Sequence, residues 1–210
     1  TLFGPYGPKV APLVESGLTD EHTPVRAAAC MAAGARDGRD LAALAILERE
    51  PIPESRLWPD RAALPREALW ENLSHEVPEV QAAAAKTCGL LRLAGSADFL
   101  QPLLHGTPLL NTDVEDGRET ALEALRLVPK VADSVVQDIE ACVRADPSAS
   151  VRQTAVKTLV PHARGDSSLE ALIWALGDTA RRVGDDVSDA LLENTTDVTP
   201  EQYHELIDRW

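Results

Sequence analysis

The chain has 210 residues, 44% of them hydrophobic and only 4% aromatic, which is enough apolar material for a well-buried core. Its formal net charge of -14 and pI near 4.7 disfavour a binder of nucleic acid or anionic lipid, because phosphate binding depends on neutralisation by Lys and Arg. There is no apolar run of the ~18 residues a membrane helix needs and no charged-then-apolar leader after Thr1, so the expectation is a cytoplasmic protein with no membrane partner.

Alanine and leucine dominate, and alternation of β-branched with polar residues is nearly absent, so the predicted elements are all helical. In chain order, the first apolar stripe at helical spacing runs from Gly7 to Leu18, and a second helix is entered through Asp20 to Arg26. A helix from Asp40 to Glu48 follows. The pattern then breaks at about 50–66, where Pro51, Pro53, Pro59 and Pro65 surround Trp58, and we read this stretch as an inserted loop. Helical spacing resumes from Arg61 to Leu73, and His75 to Gln81 leads into the next helix. Further first helices are predicted at Ala97 to His105, Val131 to Ala145 and Ser168 to Leu176. Their partners are entered at Thr112 to Arg118, Asp146 to Arg152 and Asp178 to Gly184. Thr199, Pro200 and Gln202 open a last helix, whose stripe of Tyr203, Leu206, Ile207 and Trp210 caps the stack.

The second helices share one register. Aligned on Val25, Val80, Gly117, Val151 and Val183, they carry Ala29, Ala84, Ala121, Ala155 and Val187 four residues on, and Ala33, Cys88, Leu125, Leu159 and Leu191 eight residues on. These positions lie on one helix face, and the small residue at the middle position permits close approach of a neighbouring helix. Successive anchors are 55, 37, 34 and 32 residues apart, so three intervals suit a helical hairpin and the first holds the insertion. The Asp before each anchor is expected to accept from backbone N–H groups where the helix opens, with Pro147 in a first-turn position. The Arg after the anchor is spaced to reach the Asp of an adjacent repeat, with Asp20, Arg26, Arg118, Asp146, Arg152 and Asp178 as members of the ladder.

The pattern resembles the HEAT-repeat family, in its short form named after phycobilisome-lyase HEAT-like repeats, which runs D-x-x-x-x-V-R-x-x-A-x-x-A-L. Asp146 to Leu159 follows it closely and Asp20 to Ala33 nearly as well. Elsewhere it is degenerate: His75 and Thr112 stand for Asp, Gln81 and Gly184 for Arg, and Gly117 for Val. The resemblance covers about residues 7–194. It implies a single all-α domain over 1–210, a right-handed α-α superhelix (HEAT/armadillo-type solenoid) of about five helical hairpins plus a C-terminal capping helix. It implies nothing specific about function.

Residues that carry chemistry are sparse. Cys30, Cys88 and Cys142 are odd in number and lie on helical apolar stripes, which fits reduced core thiols. His75-Glu76 and His204-Glu205 invite comparison with the HEAT-repeat deoxyhypusine hydroxylases and their di-iron centre, but two pairs at non-equivalent positions are too few. Asp208 occupies the second histidine of a zinc H-E-x-x-H motif. No cofactor is therefore expected. The HEAT-like DNA glycosylases need a basic concave face that 20 basic residues against 34 acidic ones do not provide.

The reading is a non-enzymatic protein-interaction scaffold or adaptor working through its concave face. A HEAT-type enzyme or enzyme subunit, bilin-lyase-like or DNA-glycosylase-like, is the alternative. Residues two and six past each anchor point away from the core, which nominates Met31, Lys86, Glu119, Glu123, Lys157, Asp185 and Asp189, joined by Glu193 and by Trp58 in the insertion. The row starts apolar and ends acidic, so the expected partner is a protein or peptide, with a basic segment at the acidic end. Trp70 and Trp174 fall on helical stripes and are expected in the core. Sixteen Arg to four Lys, with abundant Ala, suggest a GC-rich bacterial source.

Overall fold

The structure, a computed structural model, describes residues 7–34, 64–106 and 117–194. Among them every regular element is a helix: α1 (Gly7–Leu18), α2 (Thr23–Gly34), α3 (Arg66–Leu73), α4 (Pro78–Leu90), α5 (Ala97–Leu100), α6 (Gly117–Leu127), α7 (Asp133–Ala145), α8 (Ala149–Leu159), α9 (Gly165–Leu176) and α10 (Arg181–Asn194). Short 3-10 turns, Gln101–His105 and Val160–His162, extend α5 and α8. Each of these turns has proline in its first positions, where a missing N–H is tolerated. The helix predicted from Asp40 to Glu48, residues 50–63 of the proline-rich insertion with Trp58, residues 112–116 of the Thr112 turn and the C-terminal helix from Thr199 lie outside the described residues, while Pro65 stands at the N-cap of α3.

The helices pack in two layers. α1 packs on α2, α3 on α4, α7 on α8 and α9 on α10, while α5 with its 3-10 turn packs on α6. Along the second layer α2 contacts α4, α4 contacts α6, α6 contacts α8 and α8 contacts α10. The first layer runs in parallel: α1 touches α3, α3 touches α5, and the Gln101–His105 turn touches α7, which packs on α9.

The cause is visible in the apolar spacing. In α7, Val135, Val136, Ile139, Cys142 and Val143 form one buried stripe, with Asp133 in the first turn and Arg144 in the last, where each complements the helix dipole. The central α4 is buried almost all round: Val80, Ala83, Ala84, Ala85, Thr87, Cys88 and Gly89 are all buried. That is possible only for a helix flanked by two others in its own layer and covered by a third. The middle position of the register does what small residues allow. A Cβ added at Gly17 of α1 would lie 2.8 Å from the Cβ of Ala29, so the two helices meet at van der Waals contact because neither side chain is larger. All three cysteines are free and buried. Burial raises their thiol pKa, to about 11 for Cys30 and Cys142 and about 12 for Cys88, so they sit as inert core thiols.

The turn aspartates accept from backbone N–H groups where the second helices open. The Asp side chain does not cap the second or third helical N–H; it accepts from the N–H of the N-cap residue itself. Asp20 Oδ1 takes His22 N–H at 2.8 Å, Asp146 Oδ1 takes Ser148 N–H at 2.8 Å, and Asp178 Oδ1 takes Ala180 N–H at 2.7 Å. At the degenerate register His75 substitutes functionally: its Nδ1 accepts Val77 N–H at 3.1 Å. The carboxylate or imidazole therefore closes the turn and sets the entry angle of the following helix. Pro147 stands just before the N-cap Ser148, outside the first turn, whereas Pro78 occupies a first-turn position of α4.

The arginine ladder forms in two of its steps and is modified in the first. Arg118 Nη1 donates to Asp146 Oδ2 in a fully buried pair. Arg152 donates from Nε to Asp178 Oδ2 at 2.6 Å and from Nη2 to Oδ1 at 2.8 Å, a bidentate contact. Arg152 Nη1 also donates to the Asp146 carbonyl at 2.8 Å, and Arg26 Nε makes the same contact with the Asp20 carbonyl at 2.9 Å. With His75 in place of Asp at the next turn, Arg26 Nη1 instead approaches Oδ1 of the buried Asn72 at 3.4 Å. Asn72 in turn donates to the Leu18 carbonyl at 3.0 Å, joining the first two hairpins.

Candidate functional site

Because the second helices pack consecutively, the positions two and six past each anchor fall into one strip along the outer side of that layer. The strip begins with Ala27 and Met31, both partly buried against the core. Ala82 and Lys86 on α4 are half-buried, Glu119 is half-buried and Glu123 exposed on α6, and Gln153 is half-buried and Lys157 exposed on α8. Asp185 on α10 is exposed. Every described position of the strip therefore meets solvent at least in part. The side chains of Asp189 and Glu193, and all of Trp58, lie outside the described residues.

Several of these side chains already bridge neighbouring helices. Glu119 accepts from Ser150 Oγ at 2.6 Å and from Thr154 Oγ1 at 3.3 Å, crossing from α6 to α8. Lys157 Nζ lies 3.2 Å from Asp186 Oδ2, crossing from α8 to α10, and Arg181 Nε lies 3.7 Å from Asp185 Oδ2 one turn away. The acidic end is thus partly neutralised by Lys157 and Arg181. These exposed pairs contribute little to stability, roughly 0–1 kcal/mol each, so a competing partner can displace them cheaply.

One tryptophan departs from the sequence expectation. Trp174 is 53% exposed, and it lines an open cleft of about 410 Å³ with Arg144, Ala145, Asp146, Arg152, Gly177 and Asp178. The indole lies where the α7–α8 and α9–α10 hairpins meet. Both carboxylates in the cleft are engaged, Asp146 with Arg118 and Asp178 with Arg152. The hydrogen bonds from Arg152 hold the Asp178 carboxyl below its ordinary range, against the opposing effect of burial. Arg144 Nη2 donates to the Ser167 carbonyl at 3.0 Å. Trp70 is half-buried and stacks on Phe99, with centroids 5.0 Å apart.

Three structural ties escaped the sequence reading. Thr87 Oγ1 donates to the Cys30 carbonyl at 2.6 Å, and Thr158 Oγ1 donates to the Leu122 carbonyl at 3.0 Å. Both threonines lie seven residues past their anchors and both carbonyls five past theirs, so this is a second inter-repeat ladder; identical residues at one register offset were its signal. The third is Glu140, buried in α7, whose carboxylate accepts from Ser167 Oγ at 2.6 Å and Ser168 Oγ at 2.7 Å at the start of α9. No group of three or more His, Cys, Asp or Glu converges among the described residues. No described helix is long and apolar enough to cross a membrane.

No protein-family model matches the sequence, and no curated protein sequence matches it either. Among solved structures the chain is similar to the crystal structure of an engineered protein, with a TM-score of 0.54 at 16% identity, covering 93% of this chain and 92% of that one. At that identity the likeness concerns the helical fold alone.

Proposed function

We propose that the protein is a non-enzymatic interaction scaffold or adaptor of the cytoplasm, built as a HEAT-type superhelix whose second helices line a concave, partner-binding face. The observation that carries this reading is the uninterrupted contact of α2, α4, α6, α8 and α10, which turns residues far apart in sequence into one strip. Its character changes from apolar at Ala27 and Met31 to acidic at Asp185, a gradient that favours an extended protein or peptide segment with a basic end. The pairing of Arg118 with Asp146 and of Arg152 with Asp178 supports the same conclusion, since these ionic groups hold hairpins together.

The test is capture from a lysate of the native host by the immobilised full chain. Asp185→Lys combined with Asp189→Lys should reduce recovery of the bound protein at least about tenfold, and wild-type recovery should fall with rising salt. Asp166→Lys with Glu170→Lys makes the same change in net charge on exposed positions of α9. It should leave capture intact; equal loss in both double variants removes the strip from consideration.

A further inference from the structure

Resting on the reading of the strip as the partner-binding face, we propose that it selects an extended segment in the polyproline II conformation whose charged residues recur at every third position and alternate in sign: acidic, basic, acidic, basic. Positions two and six past each anchor change sign at every step from α4 to α10. α4 presents Lys86 beside neutral Ala82, α6 presents Glu119 and Glu123, α8 presents Lys157 beside neutral Gln153, and α10 presents Asp185. Before them, α2 carries the uncharged Ala27 and Met31. All of these side chains reach solvent at least in part. Lys157 keeps 46% of its side chain exposed although its Nζ lies 3.2 Å from Asp186 Oδ2.

Helices packed side by side lie about 8–10 Å apart, so the strip offers charges of alternating sign at about that spacing. A β-strand does not match it: its side chains return to one face at every second residue, about 6.6 Å on, and the third residue faces away. A polyproline II segment does match, because three residues per turn at about 3.1 Å each bring one face round about every 9 Å. An α-helix reaches about 10.5 Å only at its seventh residue, and the residues three and four along, which share that face, fall between the helices of the strip. In the extended segment, acidic residues meet Lys86 and Lys157, and basic residues meet Glu119 with Glu123 and Asp185. Alternation fixes the register, since a slip by one step sets like charge against like throughout. Such a segment is close to neutral, so the chain's net charge of -14 does not repel it.

The experiment is fluorescence anisotropy of labelled peptides titrated with the full chain at low ionic strength. The matched probe is Leu-Pro-Ala-Glu-Pro-Ala-Lys-Pro-Ala-Glu-Pro-Ala-Lys, with its leucine at Ala27 and Met31. The blocked probe has the same composition in the order Leu-Pro-Ala-Glu-Pro-Ala-Glu-Pro-Ala-Lys-Pro-Ala-Lys. The matched probe should bind at least about tenfold more tightly, because two of the four charges in the blocked probe meet like charge in either direction. Lys157→Glu should weaken the matched probe at least about threefold, and changing the second glutamate of the probe to lysine should recover that loss, a rescue that a purely structural Lys157–Asp186 pair would not give. Equal binding of matched and blocked probes, binding of neither, no rescue, or tighter binding of an α-helical peptide with the same four charges at every seventh residue overturns the proposal. The strip itself is judged separately by lysate capture with Asp185→Lys and Asp189→Lys, which depends on no chosen peptide.

Discussion

Removing the Arg152 side chain is expected to cost about 3 kcal/mol and to act on the junction between the last two hairpins. Arg152→Ala deletes two hydrogen bonds to Asp178, at 2.6 and 2.8 Å, and one to the Asp146 carbonyl at 2.8 Å. The Asp178 carboxylate keeps Ala180 N–H as a backbone donor at 2.7 Å. Breaking one side of a buried pair costs about 3–5 kcal/mol, and the lower end applies because the side chains are 14% and 9% exposed. With about 2–4 °C per kcal/mol, the melting temperature should fall by about 6–12 °C. The assay is urea and thermal unfolding of Arg152→Ala, Asp178→Asn and the double variant; Asn keeps the acceptor for Ala180 N–H. A coupling energy of at least about 1 kcal/mol is expected, and additivity within about 0.5 kcal/mol would refute the ladder as an energetic device. The pH dependence has a definite sign. Arg152 holds the Asp178 carboxyl below its ordinary 3.8, so the native state binds fewer protons than the unfolded chain near that pH. The pair's contribution is complete above that value and is lost as pH falls through the lowered folded pKa, so the gap between wild type and Arg152→Ala should close in acid.

Gly89→Ala should lower stability by about 1–3 kcal/mol, although alanine is the better helix former by about 1 kcal/mol, because α4 and α6 touch there. The added Cβ would lie 2.7 Å from Ala124 Cα, where backbone rather than a movable side chain must give way. Adding Ala124→Gly should recover part of the loss in urea melts, and a neutral Gly89→Ala would show that the helices are not in contact. His162 donates from Nε2 to the Leu125 carbonyl at 2.9 Å, and burial lowers its pKa below the ordinary 6.5, more than that hydrogen bond raises it. Its neutral form is thus favoured by folding: the contribution is full above about pH 6.5 and declines as pH drops through the folded value. A proton NMR titration should place His162 below 6.5, and a value at or above 6.5 would contradict the burial argument.

What is local in this protein was legible in its sequence. Anchor, +4 and +8 residues repeat at helical spacing, so α1 is predicted with the bounds it has, Gly7–Leu18, and the buried faces of α4 and α8 follow from the same periodicity. The spacing of Asp and Arg also announces the ladder at Arg118–Asp146 and Arg152–Asp178, because both partners recur at fixed offsets. Tertiary structure decided the rest. Arg26 turns to Asn72 because His75 lacks a carboxylate, and the insertion-bearing interval hides that pairing from any fixed offset. Glu119 and Lys157, nominated as partner-facing, are drawn onto Ser150 and Asp186 by the stagger between adjacent second helices. Trp174 lies on a helical stripe yet reaches solvent, because a stripe states which way a side chain points and only the packing of the next hairpin states whether anything covers it. The same holds for Val25, 46% exposed, against the buried Val80, Val151 and Val183: identical residues in identical registers differ in burial by what packs on them, which register alone does not state.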